Sequence, residues 1–240
     1  MNPYSRTQLL LGRDAMEKLR NARVAVFGLG GVGGYAVEAL ARCGVGALEL
    51  IDHDTVSITN LNRQILATRS TVGMAKAEAA KARVLEIDPD IQVAARSSFF
   101  GPDTLSEFDF SRYSYVVDAI DTVTCKLALI AAANDAHVPI ISSMGTGNKL
   151  DPTAFRVADI HETSVCPLAR IIRKECRKRG IDRLKVVYSE EEPIFPELPA
   201  DDPMWAELPQ GRNALPGSVS FVPSVAGLII AGEVIKDLTK

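Results

Sequence analysis

The run Gly28-Leu29-Gly30-Gly31-Val32-Gly33-Gly34 limits this chain more than any other feature. It follows Val24-Ala25-Val26-Phe27, a short β-prone segment that is apolar on both faces, as a buried parallel strand must be. A helix is predicted from Gly33 to Cys43, with Val37, Leu40 and Ala41 on its inner face. Glycines at a strand-to-helix turn permit a tight bend and let backbone N–H groups approach a phosphate, and the helix N-terminus adds a favourable dipole. A second strand, Leu48 to Ile51, ends at Asp52, 24 positions after Gly28. A carboxylate there can accept hydrogen bonds from ribose hydroxyls. A glycine turn of purely structural purpose is the weaker reading, because strand, turn and helix occur in the right order.

The alternation continues down the chain. Met74 to Ile87 reads as a helix stopped by Asp88-Pro89, and Ile91 to Ala95 as a strand. Tyr115-Val116-Val117 leads into Asp118, Lys126 to Ala136 is an Ala-rich helix, and Val138 to Ser142 is another strand. This pattern predicts an α/β, Rossmann-like fold with a mostly parallel sheet and helices on both faces. After Gly145 the character changes. Ala154 to Val157 and Lys185 to Tyr188 read as strands, with a strongly basic helix, Cys166 to Arg179, between them. Residues 189 to 217 hold six prolines and read as a long exposed loop, and Pro223 to Leu238 as a closing helix with proline at its start. The expected organisation is a nucleotide-binding core over 1–150 and a smaller C-terminal α+β extension over 151–240 that completes the same domain.

With 240 residues, 47% of them apolar, the chain can bury a sizeable core, and its net charge of -3 excludes a general polyanion-binding shell. Cys43, Cys125, Cys166 and Cys176 form no C-x-x-C pair, which disfavours structural zinc and suits reduced thiols in the cytoplasm. The N-terminus has no secretory apolar run, and the longest apolar stretch, near Val225 to Ile230, is too short to span a bilayer, so no membrane is expected.

The glycine loop and Asp52 alone fit a nicotinamide enzyme equally well. The segment from Asp52 to Gln64 breaks the tie. Asp54, Asn60, Arg63 and Gln64 crowd a place where a dehydrogenase needs no such cluster but a triphosphate site does. Arg63 can hold phosphate oxygens bidentately, and Lys76 offers a second positive charge at the start of the next helix. Asp121, just past the fourth strand, can hold magnesium or lie against the reacting phosphate. Such a set suits attack on an α-phosphate.

The combination G-x-G-G-x-G, D-x-D-x-V-x-x-x-N-x-x-R-Q, Lys76 and Asp121 resembles the ubiquitin-activating-type adenylating enzymes, among them those of molybdopterin and thiamine biosynthesis. The resemblance covers roughly residues 4 to 150. It implies ATP with Mg2+, a phosphate cradle of Gly28, Gly30, Gly31 and Gly33, ribose contacts from Asp52 and Asp54, and phosphate contacts from Asn60, Arg63, Gln64 and Lys76. It gives Asp121 the central catalytic role, through magnesium or by orienting the acyl phosphate, where plain reading of the residues allows a buried, salt-bridged aspartate. Tyr4-Ser5-Arg6-Thr7 is similar to the family's N-terminal R-Q or R-T element. By itself Arg6 reads as a solvated arginine at a frayed end. Under the resemblance it reaches the neighbouring subunit's nucleotide, which makes a homodimer the active form.

The second half points to one branch. Thr163-Ser164-Val165-Cys166-Pro167-Leu168-Ala169-Arg170, the basic run to Gly180 and Val186-Val187-Tyr188-Ser189 resemble the branch that dehydrates threonylcarbamoyladenosine in tRNA. Between Arg170 and Lys185 eight basic residues face two acidic ones, and Arg170, Arg173, Lys174, Arg177 and Lys178 are the candidate tRNA contacts. A charge run is more often a solvated helix face, so the patch alone does not decide. Tyr188 and Trp205 are the nearby stacking candidates, and both read equally well as packing residues. Cys166 is the candidate sulfur-accepting thiol, with a buried thiol the preferred reading. The resemblance implies that AMP is transferred to the threonyl carboxylate and that a carbamoyl nitrogen then closes a ring and expels AMP. It leaves room for a monovalent cation, sodium or potassium, and for a sulfur-transfer protein partner. Adenylation of the C-terminus of a ubiquitin-like or sulfur-carrier protein is the alternative. A nicotinamide oxidoreductase and a non-catalytic binding module rank below it.

Overall fold

The computed structural model describes residues 2–195, 197, 199, 201–202 and 216–240. Most of the proline-rich stretch, with Trp205, lies outside the described residues. Seven strands form one sheet: β1 (Arg23–Phe27), β2 (Ala47–Ile51), β3 (Gln92–Arg96), β4 (Tyr115–Asp118), β5 (Ile140–Ser143), β6 (Phe155–Asp159) and β7 (Lys185–Ser189). Their order across the sheet is β3-β2-β1-β4-β5-β7-β6. Every pairing is parallel except β6 with β7. The expected Rossmann-like sheet is therefore present, and the C-terminal residues extend this same sheet rather than building a second one.

The described residues form seven α-helices: α1 (Ser5–Leu11), α2 (Arg13–Asn21), α3 (Gly33–Arg42), α4 (Lys76–Ile87), α5 (Val123–Asp135), α6 (Pro167–Lys178) and α7 (Pro223–Thr239). Strand side chains alternate between two cores. Val24 and Val26 point with Leu48, Leu50 and Val117 into the layer of α3, α4 and α7. Ala25, Phe27 and Val116 point the other way, against Phe100, Phe108, Phe110 and α5. A third cluster joins Ile130 of α5, Val186 of β7 and Ala169, Ile172 and Cys176 of α6. Helices thus cover both faces, which is why the parallel strands read as unbroken apolar runs.

Several boundaries differ from expectation, each for a local reason. α4 begins at Lys76 rather than Met74, because Thr55 bridges Ala75 and Val56 N–H donates to Met74 O at 2.8 Å. It stops at Ile87, and Asp88 is extended (ψ 111°), as a residue before proline prefers. α5 starts three residues early, at Val123, after the extended Thr122. Neither α1 nor α2 was anticipated. Their low apolar content hides them, since α1 buries no residue and α2 buries only Ala15 and Leu19.

Candidate functional site

A cleft of about 510 Å³ opens above the C-terminal ends of β1, β2 and β4. The sheet order reverses between β1 and β4, and crevices at such a point are where open α/β sheets bind ligands. Gly28, Gly30, Gly31, Asp52, Asp54, Asn60, Arg63, Gln64, Lys76 and Asp121 all line it. Residues spread over nearly a hundred positions are thereby brought to one cavity.

The loop geometry accounts for its glycines. Gly28 has φ +87°, and a Cβ there would meet Ala119 O at 2.6 Å. Gly33 is not among the residues that line the cleft; it packs under the loop, where a Cβ would fall 1.8 Å from Gly28 O. Its absent side chain lets α3 start directly against the strand end. The loop's own order comes from Asp52, which is buried and accepts from Leu29 N–H (2.7 Å) and Asp54 N–H (2.9 Å).

On the cleft's second side, Lys76 is buried and ion-paired to Asp54 at 2.7 Å. Lys76 N–H also donates to Asp54 O at 2.9 Å, so helix start and side chain are fixed by one residue. Asn60 Oδ1 accepts from Ser57 N–H at 3.0 Å, closing the turn that precedes Arg63. Half-buried Arg63 donates to Thr59 O (3.0 Å) and Asn62 Oδ1 (2.9 Å). Gln64 is buried, and among the described residues its Oε1 has no hydrogen-bond partner although Gln64 lines the cleft. A buried acceptor without a partner is costly, and a bound donor would relieve it. Phe99, half exposed at the cleft, meets His53 edge to face at 5.1 Å.

Asp121 stands exposed rather than buried on the cleft wall, where it can meet a ligand. Beneath it lies a group that sequence reading missed. Asp118 and Lys126 are both fully buried and 2.7 Å apart. The signal was present in the lysine among core residues of an Ala-rich helix, flanked by the buried Cys125 and Leu127.

The cleft continues past Ser143 to Gly145, Thr146, Gly147 and Leu168, reaching the start of α6. Lys149, also missed, is buried nearby, its ammonium donating to Glu191 O; burial pulls its pKa below the usual lysine value. Cys166 is buried at the N-terminus of α6, and this buried thiol is the reading preferred from sequence.

The basic patch is smaller than its sequence count. Arg170, Lys174 and Arg177 are exposed. Arg173 is tied to Thr163 O (2.5 Å) and Thr163 Oγ1 (2.7 Å), Lys178 pairs with Glu175 at 2.6 Å, and Lys185 faces α7 through Asp237 at 2.6 Å. Tyr188 is buried in the third core cluster, which makes it a packing residue. Arg6 is exposed on α1 and does not line the cleft of its own chain. Among the described residues, no helix is long and apolar enough to cross a membrane.

Comparison with known proteins agrees with this geometry. The ThiF family model matches residues 4–240. The tRNA threonylcarbamoyladenosine dehydratase of Bacillus subtilis is 43% identical over 243 residues, spanning 100% of this chain and 96% of that protein. The crystal structure of the Escherichia coli tRNA N6-threonylcarbamoyladenosine dehydratase in complex with ATP superposes with a TM-score of 0.87 at 34% identity, covering 98% of this chain and 93% of that one. The same enzyme in complex with AMP gives 0.86 at 34% identity, with the same coverage. This chain belongs to the ThiF family and, within it, to the tRNA threonylcarbamoyladenosine dehydratases.

Proposed function

We propose that the protein uses ATP to adenylate the threonyl carboxylate of threonylcarbamoyladenosine in tRNA and closes it to the cyclic, dehydrated form. One observation carries this reading beyond adenylation in general: the nucleotide cleft runs without interruption to the start of α6, the helix that exposes Arg170, Lys174 and Arg177. A polyanion seated on that face would present its modified base toward the cleft.

In this reading the N-terminus of α3 and the glycine loop receive the phosphates through Gly28, Gly30 and Gly31. Asp52 and Asp54 address the ribose and its surroundings. Asn60, Arg63, Gln64 and Lys76 surround the triphosphate, and Lys76 exchanges part of its pairing with Asp54 for a phosphate. A carboxylate oxygen attacks the α-phosphorus, and pyrophosphate leaves. The carbamoyl nitrogen then attacks the acyl carbon and AMP departs with the former carboxylate oxygen, so the nucleoside has lost the elements of water. No protein nucleophile takes part, in keeping with a buried Cys166. Positioning and charge stabilisation carry the rate.

The exposed carboxylate of Asp121 fits Mg2+, which commonly takes one or two protein carboxylates together with phosphate oxygens. Bound there, the ion would neutralise charge on the triphosphate. Asp52, His53 and Asp54 also bring ligand atoms within 4.8 Å of one another, but Asp52 is engaged by two backbone N–H groups and Asp54 by Lys76. We therefore assign them no monovalent cation.

A homodimer is part of the proposal. α1 buries no residue and leaves Leu9 and Leu10 at 85% and 88% exposure, so a second copy has apolar surface to cover. Arg6, on the same helix, would serve the partner's cleft. A sulfur-transfer partner has little to work on, because Cys125, Cys166 and Cys176 are buried and Cys43 is half-buried.

The deciding experiment is mass spectrometry of nucleosides from threonylcarbamoyladenosine-bearing tRNA after incubation with enzyme and ATP. Loss of one water from the modified nucleoside is expected. An unchanged nucleoside, with adenylation instead of a carrier protein's C-terminus, would sink the acceptor assignment.

A further inference from the structure

Under the cleft floor, two strand ends and one helix are joined by a single buried polar knot. Asp118 closes β4, Lys126 lies one turn into α5, and Ser142 and Ser143 close β5. Lys126 Nζ donates to Asp118 Oδ2 (2.7 Å), Ser142 Oγ (3.1 Å) and Ser143 O (2.9 Å). Ser142 Oγ donates to the same Asp118 oxygen at 2.5 Å. The other oxygen, Oδ1, accepts from Ile120 N–H at 3.1 Å. Asp118, Lys126 and Ser142 have no solvent exposure at all.

A buried ion pair is a poor way to stabilise a fold, since desolvating two charges offsets much of their attraction, and a well-packed apolar pair often does as well. What this one provides is placement. Its three elements carry Ile120, Asp121 and Thr122 on one side of the cleft and Ser143, Met144 and Gly145 on the other. Asp118 fixes the N–H of Ile120, next to Asp121 in the loop that carries it, and Lys126 fixes the carbonyl from which the second lobe departs.

We infer that Asp118 and Lys126 are positioning residues: together they set the distance between Asp121, where the α-phosphate reacts, and the Ser143–Gly147 lobe that leads to the acceptor. This inference rests on the adenylating role proposed for the cleft. It concerns the chemical step and not ATP affinity, because the residues placed around ribose and phosphate lie on the glycine loop after β1, the segment after β2 and the start of α4, none of which belongs to the knot.

The test is the double variant Asp118→Asn/Lys126→Met, which removes both charges at nearly constant volume and leaves no ion unpaired. ATP affinity is read by calorimetry, folding by thermal melting, and turnover as AMP formed, with water loss on the tRNA followed in parallel. The expected result is a folded protein with unchanged ATP affinity and unchanged KM for tRNA, and a kcat lowered about 100-fold, the scale of a misplacement near 1 Å. A folded double variant with wild-type kcat overturns the inference. So does one whose loss lies in ATP affinity alone. Should the double variant not fold, Ser142→Ala removes only the hydroxyl on Asp118 Oδ2. A kcat lowered about tenfold at constant KM supports the inference, corresponding to the loss of roughly one hydrogen bond in the transition state, and an unchanged kcat overturns it. If wild type makes AMP without dehydrating the tRNA, the acceptor reading fails, while AMP formation still decides the positioning one.

Discussion

Lys76 and Asp54 meet at 2.7 Å across the cleft wall, the lysine nearly buried and the aspartate side chain half exposed. The same pair is joined through backbone, Lys76 N–H to Asp54 O. The ammonium is therefore held at the cleft before any phosphate arrives and needs little reordering to bind one. Lys76→Ala should raise the Kd for ATP about 100-fold, in line with loss of a partly desolvated charge-assisted contact. Asp54→Asn should act in the same direction but more weakly. Calorimetric titration with ATP checks both, and wild-type affinity in Lys76→Ala would remove the lysine from the site.

Two glycines make opposite predictions for substitution, one at a positive φ with open space around it and one at the start of a helix against backbone. Gly12 has φ +87° and open space where a Cβ would go. Gly12→Ala should cost about 1–3 kcal/mol, because with ψ 170° its backbone lies in a region that is essentially glycine-only, and should leave ATP binding alone. At Gly33 a Cβ would overlap Gly28 O at 1.8 Å. Gly33→Ala should cost about 3 kcal/mol or more through overpacking against backbone, and should weaken ATP binding because the loop must move. Urea denaturation of both variants gives the costs, and calorimetric titration with ATP separates the cases.

Much of this site was legible in the chain because its signals are local. The glycine loop, Asp52 and the segment from Asp54 to Gln64 each sit at a strand end, and strand ends of a parallel sheet gather at one edge whatever the details of packing. What was not legible depends on pairing across the fold. Arg173 looks like its exposed neighbours until Thr163, ten residues earlier, is seen to accept from it twice. Lys185 counts with a basic run until α7 brings Asp237 to it. Asp118 and Lys126 read as a strand end and an ordinary helix lysine, and only the meeting of β4, α5 and β5 makes them a unit. Charge counts from sequence overstate a patch whenever the ion pairs are long-range.

Val165 carries the most strained backbone near the site. It is β-branched, has φ +56°, and is spanned by the 2.5 Å bond from Cys166 N–H to Ser164 O. Left-handed geometry is rare for such a residue and costs about 1–2 kcal/mol. Its side chain is half exposed, so little packing is lost with it. Val165→Gly should therefore stabilise the protein by about 1 kcal/mol. A lowered thermal midpoint would show that the turn is not held against its preference.

The closing helix should set the acid limb of stability. Burial alone would raise the pKa of Asp237, but hydrogen bonds from Lys185, Lys240 and Tyr115 outweigh it and hold the carboxyl at about 2. A depressed carboxylate stabilises the fold above its unfolded value and loses that contribution as pH falls through the folded one. The loss should fall between about pH 4 and pH 2, and should amount to about 1 kcal/mol after allowance for solvent screening. Lys185, raised by the same partners against the effect of its burial, keeps its contribution until well into the alkaline range. Lys185→Met should flatten the acid limb of urea midpoints plotted against pH, and an unchanged limb would assign it to other carboxylates.

Arg6 poses the sharpest question about assembly, because its helix exposes Leu9 and Leu10 and its own cleft does not include it. If Arg6 acts in the partner's site, Arg6→Ala abolishes turnover while folding and dimerisation persist. Asp121→Ala abolishes turnover from the other side of the same composite site. Mixed after subunit exchange at equal amounts, the two inactive variants should regain about a quarter of wild-type activity. Half of the dimers are then mixed, and each mixed dimer holds one site with Arg6 from one subunit and Asp121 from the other. An arginine acting within its own chain, or not at all, gives a different result: the mixture never exceeds the activity of its two components. Native mass spectrometry with one variant isotope-labelled shows that mixed dimers have formed, so an inactive mixture of exchanged dimers rules out action in trans.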